Sequence, residues 1–181
     1  MKVYDCFLFF NEIDLLKLRM NILNDVVDFF VIVESNKTFT YKDKKLFFDE
    51  NKELFYEFKD KIIHVVIDDT PESFGVLKYI NEPTTIDEKT KNLVLKYVDE
   101  STGWNHNLKE HRQWGVETYQ RESIIKGLIN CNDEDIVIIS DLDEIPNPEE
   151  IKKMVETIND SDVFEFKQNM YYYYINLLTR P

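Results

Sequence analysis

The sequence predicts an α/β fold, a mostly parallel sheet flanked by helices. Two observations predict it. Short apolar runs rich in β-branched residues alternate with segments of helical periodicity. Each run also ends in a polar cluster. Repeated strand–helix–strand units join parallel strands, covered on both faces. In that layout Asn11, Glu34, Asp68 and the segment from Asp141 to Glu144 all fall at carboxyl ends of strands. Ligands of open α/β sheets bind along that edge.

Residues 3–10 read as the first buried strand. Asn11 then has the chemistry of a helix N-cap, with Glu12 in the first turn and Asp14 three residues on. Leu15, Leu18 and Ile22, with Leu16 and Leu23 beside them, form the expected apolar face. Residues 29–34 read as a second strand and 49–59 as a helix with Leu54, Phe55 and Phe58 inward. A third strand over 62–67 ends at Asp68-Asp69. From about 70 to 118 the pattern is irregular and holds Pro71, Pro83, Gly103, Trp104 and Trp114, with helical turns plausible around 87–98. Long irregular segments in compact domains are functional loops or disordered, and the two tryptophans argue against plain disorder. They either stack on a sugar or anchor the loop. Regularity resumes with a helix over 119–129, with Ile124, Ile125, Leu128 and Ile129 on one side, and a strand over 136–139. Asn147-Pro148-Glu149-Glu150 is a strong helix start, followed by Ile151, Met154, Val155 and Ile158 as a buried face. Residues 162–174 read as a strand or hairpin.

A chain of 181 residues is expected to form one domain with an elaborated loop. Its net charge of −13 argues against nucleic-acid binding through a basic surface and against an anionic membrane as partner. Cys6 and Cys131 lie in apolar segments and read as buried thiols, which fits a reducing compartment. No signal peptide and no stretch of transmembrane length is visible, so a cytoplasmic location is the expectation.

The most informative stretch runs from Asp135 to Pro146. Four apolar residues, Ile136 to Ile139, read as a buried strand. Asp141, Asp143 and Glu144 follow within four positions, and Pro146 fixes the turn. Carboxylates this close repel unless a cation sits among them. Their hard oxygens suit Mg²⁺ or Mn²⁺, which keep positions open for substrate phosphates. The alternative is a solvated acidic turn. Arg121 carries planar donors suited to a diphosphate, or else pairs with Glu117 at i,i+4 on a helix surface. His64 reads as a satisfied core or edge histidine. His106 and His111, five apart with no cysteine nearby, do not make a zinc site.

These residues, taken together, resemble glycosyltransferase family 17. That family includes the enzymes that add a bisecting β-1,4-linked N-acetylglucosamine to a mannose of N-glycans, with many bacterial and viral relatives. The resemblance is carried by the runs from Tyr4 to Glu12, Leu15 to Arg19 and Val26 to Glu34. It continues in Thr38-Phe39, Lys45-Leu46, Glu117, Gln120-Arg121 and Ser140 to Pro146. It implies a GT-A-like, Rossmann-like nucleotide-sugar-binding domain, a UDP-sugar donor (UDP-N-acetylglucosamine foremost), a glycan acceptor and inverting transfer with Mn²⁺ or Mg²⁺. The family's Asp-X-Asp falls on Asp141-Leu142-Asp143. Asp143 is then the first choice for direct metal ligation, and Asp141 binds metal through water or contacts the ribose. Glu144 either orients that pair or caps the turn. Glu34 stands where such folds read uracil or ribose, and Asn11, Glu12 and Asp68 lie near the nucleotide. A general base is not assigned; Glu165 and Glu144 are candidates, or it lies in a C-terminal acceptor part that this chain is expected to lack. Two other readings stand beside this one. A non-catalytic nucleotide-sugar-binding module would bind donor and metal without transfer. A HAD-type phosphatase would use Asp141-Leu142-Asp143 as its nucleophile motif, but would place it on the first strand.

Overall fold

The protein is described by a computed structural model covering residues 1–70, 116–158 and 163–169. The expectations for Trp104, Trp114, His106, His111, the turns around 87–98 and the end of the 162–174 segment lie outside those residues. Among the described residues four strands form one all-parallel sheet: β1 (Val3–Phe9), β2 (Phe29–Ser35), β3 (Ile62–Ile67) and β4 (Ile136–Ile139). Their spatial order is β3-β2-β1-β4. The chain winds outward from β1 to β3, then returns to place β4 on the other side of β1. Strand order therefore reverses between β1 and β4, and at such a point the connecting loops diverge and leave a crevice.

Both faces of the sheet are covered. One packs against α1 (Ile13–Leu23), α2 (Phe47–Asn51), the 3-10 turn Lys52–Phe58 and α3 (Pro148–Thr157), through Phe7, Phe30, Ile32, Phe48 and Ile151 among others. The other face, with Cys6, Val31, Val33 and Ile67, receives Ile124 from a helix over 116–122 that tightens into the 3-10 turn Ser123–Gly127. Gly127 sits so close to the sheet that a Cβ there would collide with Val31 Cγ1. Only glycine allows this approach. Cys6 is buried and both cysteines are free thiols.

Several sequence expectations are corrected. The N-cap of α1 is Glu12, not Asn11, and no side chain caps it. Its buried face is Leu16, Arg19, Met20 and Leu23, whereas Leu18 and Ile22 are exposed. The helix is rotated towards the sheet so that Arg19 can reach a carboxylate inside it. Asp5, in the middle of β1, is fully buried and takes two charge-assisted hydrogen bonds from Arg19, Nε to Oδ2 at 2.8 Å and Nη2 to Oδ1 at 2.7 Å. The predicted 49–59 helix is the short α2 followed by the 3-10 turn, kinked at Phe55, and Leu54 points to solvent while Phe55 and Phe58 are buried. Ile125 and Ile129 are likewise exposed, because the chain leaves α-helical geometry at Ser123. β4 is an edge strand among the described residues, with Val137 and Ile139 exposed and only Ile136 and Ile138 in the core. Residues 163–169 contain no strand. The start of α3 agrees with the sequence: Asn147 Oδ1 accepts from the Glu149 N–H at 2.9 Å and Pro148 occupies the first turn.

Breaking a buried pair by removing one partner leaves an uncompensated charge in the core. Asp5→Ala is therefore expected to lower unfolding free energy by about 3–5 kcal/mol in urea denaturation. Leu18→Ala, on the solvent side of α1, is expected to stay within about 0.5 kcal/mol of the parent.

Candidate active site

A cavity of about 520 Å³ opens at the carboxyl edge of the sheet, over the ends of β1, β2 and β4. The loop after β1 contributes Phe10 and Glu12. The hairpin after β2 contributes Lys37, Thr38, Phe39 and Lys44. The 116–122 helix contributes Glu117, Gln120 and Arg121, and the turn after β4 contributes Asp141, Leu142 and Asp143.

The β4 turn is built to present two carboxylates. Leu142 is 6% exposed and packs into the core, so Asp141 and Asp143 on either side of it remain exposed at the cavity. The Glu144 N–H donates to the Asp141 carbonyl at 3.0 Å, and the Asp141 N–H donates to Glu144 Oε2 at 3.1 Å. Glu144 is thus spent on closing the turn and does not line the cavity. From below, Arg19 Nη1 donates to the carbonyls of Asp141 (2.7 Å), Leu142 (3.1 Å) and Glu144 (3.2 Å), and Nη2 donates to Ser140 Oγ at 2.7 Å. From the cavity side, Arg121 Nη2 donates to Asp141 Oδ1 at 2.8 Å, while Nε and Nη2 both hold Glu117 Oε1. Burial opposes the Arg121 charge, but the bonds to Asp141 and Glu117 outweigh it and raise its pKa.

The opposite wall is held by Glu12 and Lys44. Glu12 accepts from the N–H groups of Asn11 (2.9 Å) and Phe10 (3.3 Å), which folds the β1–α1 loop. Asn11 itself is exposed and outside the cavity lining. Lys44 Nζ donates to the Phe10 carbonyl at 3.0 Å and lies over the rings of Phe10 and Phe47 at 5.1 and 5.4 Å. Burial holds the Lys44 pKa below its ordinary value despite the fields of Glu34 and Glu12. The hairpin turns at Tyr41, whose φ of 63° is left-handed, and Gln120 Nε2 ties it to the helix by donating to the Lys37 carbonyl at 2.9 Å.

The structure brings together Glu12, Arg121, Asp141 and Asp143. It does not bring Glu34 or Asp68 to them. Glu34 is fully buried, and its carboxylate accepts from the Phe48 N–H at 3.0 Å, the Asp49 N–H at 3.4 Å and Lys44 at 3.5 Å, with His64 Nε2 at 3.2 Å. These partners make it a structural anchor for the start of α2. Asp68 follows the outermost strand, is exposed and does not line the cavity. Glu165 lines a separate groove of about 740 Å³ along the outer edge of β4. That groove is larger, but it lies along a strand edge and lacks the convergence of loops seen at the reversal of strand order. Sequence reasoning passed over Asp5, Arg19 and Lys44 as parts of the site. The available signal was Asp5 itself, a carboxylate inside an apolar strand that requires a cation from another element.

Among the described residues no three His, Cys, Asp or Glu side chains form a metal-holding group. Asp141 and Asp143 nonetheless fit the chemistry of a magnesium-type ion, which is bound by one or two carboxylates with substrate phosphates and water completing the shell. No helix among the described residues is long and apolar enough to cross a membrane.

The acidic turn and the arginine stand where the strand order of a parallel α/β sheet reverses, the place where open sheets of this class bind their ligands. The sequence model of glycosyltransferase family 17 matches residues 1–102, more than half of the chain, and the protein belongs to that family. It is a glycosyltransferase, using a sugar donor and a glycan acceptor. The match covers β1 to β3 but ends before Asp141 to Glu144, so the roles of those residues rest on geometry. No curated protein and no solved structure matches the chain.

Glu34 gives the stability of the fold a pH dependence. Burial pushes its carboxyl pKa up, but the bonds from His64 and the Phe48 N–H and the field of Lys44 outweigh it, and the pKa is lowered. A carboxylate with a depressed folded pKa adds stability above its unfolded value, about 4.3, and loses it as pH falls through the lower folded value. Glu34→Gln is expected to be less stable than the parent near neutral pH, with the gap closing below about pH 4.3. Urea midpoints across that range check this.

Proposed function

We propose that the cavity binds a nucleoside-diphosphate sugar, UDP-N-acetylglucosamine foremost, and that the protein transfers its sugar to a glycan with the help of Mn²⁺ or Mg²⁺. The observation that carries this reading is the convergence of Asp141, Asp143 and Arg121 on one cavity where the order of parallel strands reverses. Breaking the anomeric C–O bond leaves negative charge on a diphosphate, which fixed cations stabilise. Asp143, exposed and facing the cavity, is the direct metal ligand. Asp141 shares the metal while its Oδ1 holds Arg121 in place. A bound divalent ion supplies Lewis-acid stabilisation of the leaving diphosphate without a proton transfer. Arg121 brings planar donors to the same oxygens. Glu144 acts only through the turn it closes. Phe10 and Phe39, 43% and 39% exposed at the cavity, offer aromatic faces on which the base stacks.

Calorimetric titration of UDP-N-acetylglucosamine, with Mn²⁺ and then with EDTA, tests the reading. The parent is expected to bind in a metal-dependent manner, and Asp143→Ala to lose about tenfold or more in affinity, 1.4 kcal/mol. Equal binding by Asp143→Ala with Mn²⁺ removes the metal assignment. Phe39→Ala is expected to weaken UDP binding by about 1–3 kcal/mol, the usual worth of one stacked base; an unchanged dissociation constant removes the platform.

A further inference from the structure

The Arg19 guanidinium serves two sites at once. Nε and Nη2 neutralise Asp5, Nη2 also reaches Ser140 Oγ, and Nη1 carries the carbonyls of Asp141, Leu142 and Glu144. The side chain is fully buried, so these three carbonyls point into the core. Backbone carbonyls are ordinary ligands for hard cations. In this turn these three are withdrawn, and the exposed side chains of Asp141 and Asp143 stand at the cavity.

We propose that Arg19 is the positioning residue of the donor site: by holding three carbonyls inward it fixes the turn so that a divalent cation meets the carboxylates of Asp141 and Asp143. The inference rests on the reading that Asp141 and Asp143 hold a metal-bound diphosphate. A rigid five-donor fork can reach Asp5, Ser140 and three carbonyls together, with one Nη1 hydrogen shared between two carbonyls, whereas a lysine has three donors on one nitrogen. Asp5 makes this arrangement possible. An unneutralised guanidinium directly beneath a cation site would repel the ion, and the bidentate pair removes that charge.

Arg19→Lys keeps a cation against Asp5 and gives up most of the bonds to the turn. Two readouts separate positioning from plain stability: amide hydrogen exchange in the metal-free protein, and calorimetric binding of UDP with Mn²⁺ or with EDTA. The amides of Asp141 and Glu144 are expected to exchange about tenfold faster, while those of β2 keep their protection. Mn²⁺-dependent UDP affinity is expected to fall about tenfold, the lower end for loss of a residue that orients metal ligands, with binding in EDTA unchanged. Parental exchange in the turn together with parental Mn²⁺-dependent affinity overturns the proposal. If Arg19→Lys does not fold, Ser140→Ala removes one bond to Arg19 and one to the Glu144 carbonyl. It should then shift both readouts in the same direction by about two- to fivefold, and no shift overturns the proposal. Asp143→Ala, run alongside, separates the failures. Metal-dependent binding that survives Asp143→Ala defeats the donor-site reading, whereas loss there with no effect of Arg19→Lys defeats only the role of Arg19.

Discussion

The buried pair of Asp5 and Arg19 is the constraint on which the rest of the molecule depends. Two charges in a dry interior are costly unless each finds full hydrogen bonding. Here Asp5 is satisfied by the guanidinium fork, and the remaining donors of Arg19 are satisfied by the β4 turn. The pair therefore locks three elements in one arrangement: β1 through Asp5, α1 through Arg19, and the chain leaving β4 through Ser140 to Glu144. A buried apolar pair would have filled the same space, but would have left the orientation of the turn undetermined.

A second buried network does the same for the other half of the carboxyl edge. Glu34, next to last in β2, gathers the first amides of α2, Lys44 and His64, and the His64 ring packs edge-on against Phe48 at 4.7 Å. Lys44 extends this network to the Phe10 carbonyl, so the loop after β1 and the hairpin after β2 are fixed relative to each other. The cavity walls are thus held from beneath by polar networks, while Asp141 and Asp143 stay exposed at the cavity. Separating supporting from presenting residues keeps a site in position without consuming its functional groups.

The acidic balance of the chain is compatible with an anionic donor because the charge is locally arranged. Lys37, Lys44 and Arg121 line the cavity together with Glu12, Glu117, Asp141 and Asp143. A net charge of −13 gives no long-range attraction for an anionic ligand, so on the proposed reading recognition of the donor falls to short-range contacts at the cavity. Family membership makes the protein a glycosyltransferase, and the geometry at the end of β4 supplies a chemical reason for that activity in a part of the chain that the family match does not reach.

The sequence by itself determined the alternating strands and helices, a mostly parallel sheet, the cap of α3 and the presence of carboxylates directly after β4. These follow from hydrophobic period and turn chemistry, which are local properties. Tertiary structure decided which face of α1 is buried, because Arg19 had to reach Asp5 across the core and outweighed the apolar residues Leu18 and Ile22. It also decided the fate of equivalent-looking carboxylates at strand ends. Glu34 was drawn into the core by the amides of α2, and Asp68 was left beyond the outer strand. Of these strand ends, the turn after β4 met Arg19 from α1, far away in sequence, and Arg121 from the 116–122 helix. Which acidic residue becomes a site and which becomes a support depends on partners brought together by strand order, and no local pattern in the chain carries that information.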